Sequence, residues 1–408
     1  MINYDVIVIG GGAAGLLCAG TAIRNNKSVL ILDKNPRPAR KVMITGKGRC
    51  NVTNNCTPEE FLKNLPTNPK FMYSAIYNFT PYDTMDLFES LGVKLKTERG
   101  NRVFPVSDKA VDIVDALQRY SKGADYVCNE VSDILTKDDA IFGVKCLDGT
   151  EYYANSIVLA TGGMSYPLTG STGDGYKFAR SLGHTIIAPI PSLVPIESND
   201  SFCSDMSGLS LKNVTLTIKE KGNKKPIFSE DGEMLFTHFG ISGPLVLSAS
   251  SHFNFSKDKE YTCFIDLKPA LDFEKLDARI LRDFQEFINK DFKNSLSKLV
   301  PSAMIPVVIK KCGIPADTKV NTITKEQRHR LVKTLKEFSI SLKCFRPIKE
   351  AIITSGGIST KEINPKTMES KIIKGLFFAG EIIDVDAYTG GFNLQIAFST
   401  GHLAGMNV

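Results

Sequence analysis

The segment Asp5-Val-Ile-Val-Ile-Gly10-Gly11-Gly12-Ala13-Ala14-Gly15 constrains the fold most. An apolar run enters Gly-x-Gly-x-x-Gly and leaves as a helix beginning Leu16-Leu17-Cys18-Ala19; a second apolar run, Val29-Leu30-Ile31-Leu32, ends at Asp33 and Lys34. Gly10 permits the tight turn, Gly12 lets a pyrophosphate approach the backbone, and Gly15 lets helix pack closely on strand. Ala13 and Ala14 open the helix, whose free N–H groups face the phosphates. Asp33, about 20 residues on, is placed to hydrogen-bond ribose hydroxyls. The expected fold is α/β, with a Rossmann-like parallel sheet covered by helices.

Other features exclude whole classes. The run Val6–Ile23 is uncharged and long enough to mimic a membrane span, but it holds five glycines, follows an acid and lacks a basic n-region. It reads as neither signal peptide nor span, so the expectation is a cytoplasmic protein with no membrane partner. Nine scattered cysteines without a Cys-x-x-Cys pair read as reduced thiols, and five dispersed histidines give no metal site. The net charge of +6 is modest. Basic clusters stand at Arg37–Arg49 in one early loop region, at Lys219–Lys225, and at Lys325–Lys336 on a predicted helix; each is either solvated surface or a contact for a polyanion such as RNA.

At 408 residues, two or three domains are expected. Strand-like and helix-like segments alternate to about residue 191 and return at 350–408, so the dinucleotide domain is split. Tyr126–Val131 and Ile141–Leu147 read as a small antiparallel pair. Residues 192–270 and 331–349 are mostly β, with loops at Lys221–Lys225 and Gly240–Gly243. Residues 271–330 are helical, with Leu276, Ile280, Leu281, Phe284 and Phe287 at helical spacing.

Three apolar strands end in glycine-containing turns, after Ile9, Ala160 and Ala379. Ligands in open α/β sheets lie beyond such carboxyl ends, and three ends drawn from both termini suit a long cofactor, FAD. Asp33 disfavours a 2′-phosphate by repulsion. The segment Lys41 to Asn54 concentrates donors, glycines and cations, including Thr45, Gly46, Gly48, Arg49, Cys50 and Asn51. Such groups stabilise the charge that a reduced flavin develops. Gly390-Gly391-Phe392-Asn393-Leu394-Gln395 opens a closing helix whose N-terminus carries partial positive charge. No second glycine fingerprint follows a strand; the Gly170, Gly173 and Gly175 cluster follows a loop and does not replace one.

Together with Phe236-Thr237-His238-Phe239-Gly240-Ile241-Ser242-Gly243-Pro244 and Gly380-Glu381, these motifs resemble a bacterial family of FAD-dependent oxidoreductases, that of the bile-acid dienone reductases and a ribosomal RNA dihydrouridine synthase. The resemblance covers essentially the whole chain. It implies a split FAD domain with a β-barrel-like insert, itself interrupted by a small helical domain. It also implies Ala14 and Gly15 at the pyrophosphate and Asp33 at the ribose. Arg40, Lys41, Gly48, Arg49 and Asn51 would line the cleft. Val131 would lie on the adenine side, near Ala160, Thr161 and Gly162. Asp384, Asn393 and Gln395 would approach the flavin. Ile396 and Phe392 depart from an aromatic residue and a tyrosine found in some relatives.

The activity implied is transfer of hydride from NAD(P)H through FAD to a carbonyl-conjugated C=C bond, with NAD(P)H visiting transiently. The acceptor is a small molecule; the alternatives are a uridine of 23S ribosomal RNA, giving dihydrouridine, or an amine oxidised by a flavin amine oxidase. A non-catalytic flavin-binding sensor is a further reading. His238, Tyr388 and Cys50 are candidate proton donors, none of them assigned, and the oligomeric state stays open.

Overall fold

The computed structural model describes residues 2–256 and 258–408. Two compact units result, Met1–Ser192 with Pro347–Val408, and Leu193–Arg346.

The first unit is built on a seven-stranded sheet. Strand β1 (Ile2–Ile9) leads through the glycine turn into α1 (Ala13–Arg24) and then β2 (Val29–Asp33). Later come β3 (Asp125–Cys128), β4 (Val131–Lys137), β5 (Ala140–Cys146), β6 (Glu151–Leu159), helix α2 (Asp174–Ser181), β7 (Leu376–Phe378) and the closing helix α3 (Phe392–Asn407). The order is β3-β2-β1-β6-β5-β4, with β7 also on β6. Strand β6 serves two neighbours along one edge: its first half pairs antiparallel with β5, and Ile157–Leu159 pair parallel with β7. The carboxyl ends of β2, β1, β6 and β7 therefore come side by side.

Val6–Ile9 and Leu30–Leu32 are buried, as continuous apolar runs require when helices cover both faces of a parallel sheet. The composition of α1 has a packing cause. A Cβ on Gly15 would lie 1.9 Å from the carbonyl oxygen of Gly10, and one on Gly401 of α3 would lie 2.4 Å from that of Ala14. Only small residues let α1 approach β1 on one side and α3 on the other. The uncharged Val6–Ile23 run is thus a strand and a core helix; among the described residues no helix is long and apolar enough to cross a membrane.

Three local expectations fail. Tyr126 lies in β3, parallel to β2, and β5 pairs instead with β4. The signal was masked because β4, Val-Ser-Asp-Ile-Leu-Thr-Lys, is a half-exposed edge strand rich in polar residues. Residues 37–54 are not simply loop: they contain a helical turn, Arg40–Ile44, and a short strand, Thr53–Asn54. Gly240–Ser242 is a strand, with Gly240 so close to Ile196 that a Cβ would sit 2.3 Å from its carbonyl oxygen.

In the second unit six strands close into a barrel, in the order Ile196–Ser198, Gly240–Ser242, Phe228–Thr237, Ser210–Glu220, Tyr261–Asp266 and Phe338–Phe345. Helices Phe273–Glu286, Ile305–Cys312 and Lys325–Lys336 share one apolar core with it. Leu276, Ile280 and Phe284 point inward, whereas Leu281 is exposed.

Candidate functional site

The strand ends, the glycine turn and the first residues of α3 enclose a cleft of about 1440 Å³, part of it continuous with solvent. Gly10, Gly12, Ala13 and Ala14 form one wall. Gly10 has φ +103°, and a Cβ there would strike the Ala160 carbonyl oxygen at 2.6 Å, so glycine is required. At Gly12 nothing lies within 4 Å of a Cβ, which would point into open space. Among the described residues the backbone N–H groups of Gly12, Ala13, Ala14 and Gly15 have no acceptor, while Gly10 N–H bonds Leu32 and Gly11 N–H bonds Asp33. Gly12, Ala13 and Ala14 border the cleft, and their three free donors at a helix N-terminus form an anion cradle.

Asp33 is oriented rather than free. Its Oδ2 accepts from Gly11 N–H at 2.7 Å, and its Oδ1 accepts from the Asn35 backbone and side chain at 2.7 and 3.0 Å. The carboxylate keeps lone pairs for a ribose hydroxyl. Arg40 donates to Asn35 Oδ1 at 2.7 Å. Lys34 donates to Thr172 and Asp174, both of which stand beyond β6. Burial raises the Asp174 carboxyl, but Lys34 and Thr172 outweigh it and hold that group below the usual carboxylate range. Val131 completes this end.

Further along, Ala160, Thr161 and Gly162 line the cleft below β6, and Gly380 and Glu381 line it after β7. The Thr161 hydroxyl oxygen is buried without a partner among the described residues. Lys41 spans from the early segment to the late one, 2.6 Å from Glu381 and 2.5 Å from Ser165. Glu381 Oε1 also accepts from Thr354 N–H at 2.9 Å and Ser165 Oγ at 3.0 Å. Thr45 lies beside Lys41 on the lining, and Asn393 reaches it from α3 while its amide bonds Ala387 and Tyr388.

Other residues singled out in the sequence are not on the lining. Gly15 stands behind the turn as a packing residue. Gly46 and Gly48 belong to an exposed left-handed stretch. Arg49 is held by Glu98 and Asp108 over the Phe104 ring. Cys50 is fully buried, and burial pushes its thiol up to about 12; it offers no accessible proton. Asn51 has a buried Oδ1 without a partner among the described residues. Asp384 accepts from Asn68 behind the wall, and burial raises its carboxyl. Gln395 is fully buried, bonding Thr53, Thr84, Phe79 and Ser399, so its amide is spent on joining α3 to the early helices. His238 lies exposed on a hairpin of the second unit, and Tyr388 is half-buried in the first.

Sequence reasoning missed Asn35, Glu130, Thr169, Gly170, Ser171 and Asp174, all on the lining. Only the glycines of the 170–175 segment carried a signal, and strand–turn spacing did not capture it.

The cleft fits FAD: it is elongated and offers an anion cradle at mid-length and an oriented acid at one end. A model of the HI0933-like protein Rossmann domain matches residues 4–407. The ribosomal RNA dihydrouridine synthase of Haemophilus influenzae is 32% identical over 410 residues, 98% of each chain. The 3-dehydro-bile acid delta(4,6)-reductase of Clostridium scindens is 28% identical over 409 residues, 98% of this chain and 97% of its own. A 3-ketosteroid delta1-dehydrogenase structure from Sterolibacterium denitrificans superposes with a TM-score of 0.53 at 12% identity, covering 99% of both chains, a likeness of fold alone.

Proposed function

The chain belongs to the HI0933-like family of Rossmann-domain proteins, whose fold is that of FAD-binding oxidoreductases, and we propose that it reduces a carbonyl-conjugated C=C bond at the expense of NAD(P)H. The observation that carries this reading is the row of acceptor-less N–H groups from Gly12 to Ala14 facing a cleft walled by both ends of the chain. Those N–H groups would hold the pyrophosphate and Asp33 the adenosine ribose. Thr354, Glu381, Lys41 and Asn393 would surround the other half. Bound there, FAD supplies hydride transfer. Glu381 and Ser165 fix the Lys41 ammonium in the cleft wall, where its remaining N–H would be a donor to the cofactor.

A small conjugated carbonyl compound is the first substrate reading. It is supported by the full-length likeness to a bile-acid reductase, and by the state of the most basic helix. There Arg328 binds Asp277, Lys336 binds Asp266 and Arg330 bonds the Cys312 carbonyl, so these cations are already engaged. A ribosomal RNA uridine is the second reading, favoured by 32% identity to a dihydrouridine synthase. Both substrates place C=C next to C=O, so one site chemistry serves both.

Anaerobic addition of NADH or NADPH to FAD-loaded protein should bleach the flavin's visible absorbance, and a conjugated enone should restore it. Mass spectrometry of ribosomal RNA from a deletion strain separates the substrates. Loss of a dihydrouridine selects RNA, and an unchanged profile selects the small molecule. Protein that takes up no FAD would overturn the reading.

A further inference from the structure

The segment Gly170-Ser-Thr-Gly-Asp-Gly175 is not explained by hydride chemistry, yet it borders the cleft. Residues 164–173 leave the end of β6 and run to the start of α2, and Thr169, Gly170, Ser171 and Asp174 all face the cleft beside Asp33 and Asn35. Two ties fasten this strap to the end of β2. Asn35 Nδ2 donates to the Thr169 carbonyl at 3.3 Å, with Gly170 packed so tightly that a Cβ would lie 2.5 Å from that nitrogen. Lys34 Nζ sits 2.5 Å from Asp174 Oδ2 and 2.5 Å from Thr172 Oγ1, and Thr172 itself donates to Asp174 at 2.6 Å. The two charged side chains are each about one-quarter exposed, 26% and 28%, so solvent screens the pair only in part. Among the described residues the strap has no comparable tie at its tip, where Leu168 is 87% exposed; its first residues, Met164 and Ser165, are anchored separately, their N–H groups donating to Thr354 Oγ1.

We propose that the Lys34–Asp174 pair, with Thr172, is a latch that holds residues 164–173 closed over the adenosine half of the cleft and sets how slowly FAD leaves. This inference rests on the FAD reading above. It assigns Lys34 a positioning role: its ammonium is spent on the strap. Beside the uncharged Asn35–Thr169 tie, the ion pair forms only if both charges are present and close, so the latch has a directional signature that direct contact with the nucleotide lacks: exchanging the two charges keeps it.

The test uses the FAD-loaded full chain. Release is followed as the activity gained by an excess of a competing apo-flavoprotein that captures the freed FAD, for wild type, Asp174→Asn, Thr172→Val, Lys34→Gln and the swap Lys34→Asp with Asp174→Lys. Losing a charge-assisted tie should speed release roughly tenfold in Asp174→Asn and Lys34→Gln. Thr172→Val should speed it by about threefold. The swap should return to within about threefold of wild type. Proteolysis gives a second readout: cleavage within 164–173 should rise in Asp174→Asn holoprotein while the thermal midpoint of the apoprotein stays put. Wild-type release rates in Asp174→Asn would overturn the latch and leave FAD binding intact. So would a swap as leaky as the single variants, because Lys34 would then be touching the nucleotide itself. Wild-type protein that never binds FAD overturns the latch together with the cofactor reading.

Discussion

Two glycines of one fingerprint should fail in opposite ways when each gains a methyl group. Gly12 has φ −81°, which alanine adopts freely, and its Cβ would meet nothing within 4 Å. Gly12→Ala should therefore fold, losing under about 1 kcal/mol at the helix cap. Its methyl would occupy the space a pyrophosphate needs and remove at least one charge-assisted hydrogen bond. At about 1.5–3 kcal/mol per bond, FAD should bind about 10- to 150-fold more weakly. Gly15→Ala faces backbone instead, 1.9 Å from the Gly10 carbonyl oxygen, and no rotamer change relieves that clash. Overpacking of this kind costs about 3 kcal/mol, which corresponds to roughly 6–12 °C in Tm for a unit of this size. Thermal melts of the two apoproteins and fluorescence titration with FAD separate the outcomes. Unaltered FAD affinity in Gly12→Ala would refute the cradle, and a wild-type Tm in Gly15→Ala would refute the packing argument.

Gln395→Leu leaves the Thr53 and Thr84 hydroxyls without their shared acceptor and should cost about 3 kcal/mol; an unshifted urea midpoint would show that the hub is dispensable. His184 is buried, with Nε2 2.9 Å from Ser370 Oγ and Nδ1 3.3 Å from Glu362, and burial outweighs that carboxylate to hold its pKa below the ordinary 6.5. The unfolded chain binds a proton there before the folded one does, so stability should fall as pH drops below about 6.5. Urea midpoints from pH 8 to 5 should fall more steeply for wild type than for His184→Gln, and parallel curves would refute this. Burial pushes the Cys18 and Cys50 thiols up to about 12, whereas Cys128 is exposed. Brief alkylation of native protein should label Cys128 first, with the seven buried thiols reacting only in denaturant; peptide mass mapping reads the order.

What the sequence determined by itself was whatever is encoded by local spacing. An apolar run, three glycines and an acid at fixed separations specify strand, turn, helix and strand, and the physical reason is local: backbone approach and helix geometry act over a few residues. Lys325–Lys336 was equally legible as a helix, because Thr324 and Gln327 form its capping box. Tertiary structure decided which polar groups remain free. Arg49, Cys50 and Gln395 have the chemistry of site residues, but Glu98 and Asp108 claim the first, the core encloses the second and four partners saturate the third. The strap was hidden for the same reason: its ties join residues 34 and 174, and 35 and 169, which meet only after β2 and β6 take their places on either side of β1. A side chain's spare hydrogen-bonding capacity depends on neighbours far away in the chain, so residue type alone does not determine it.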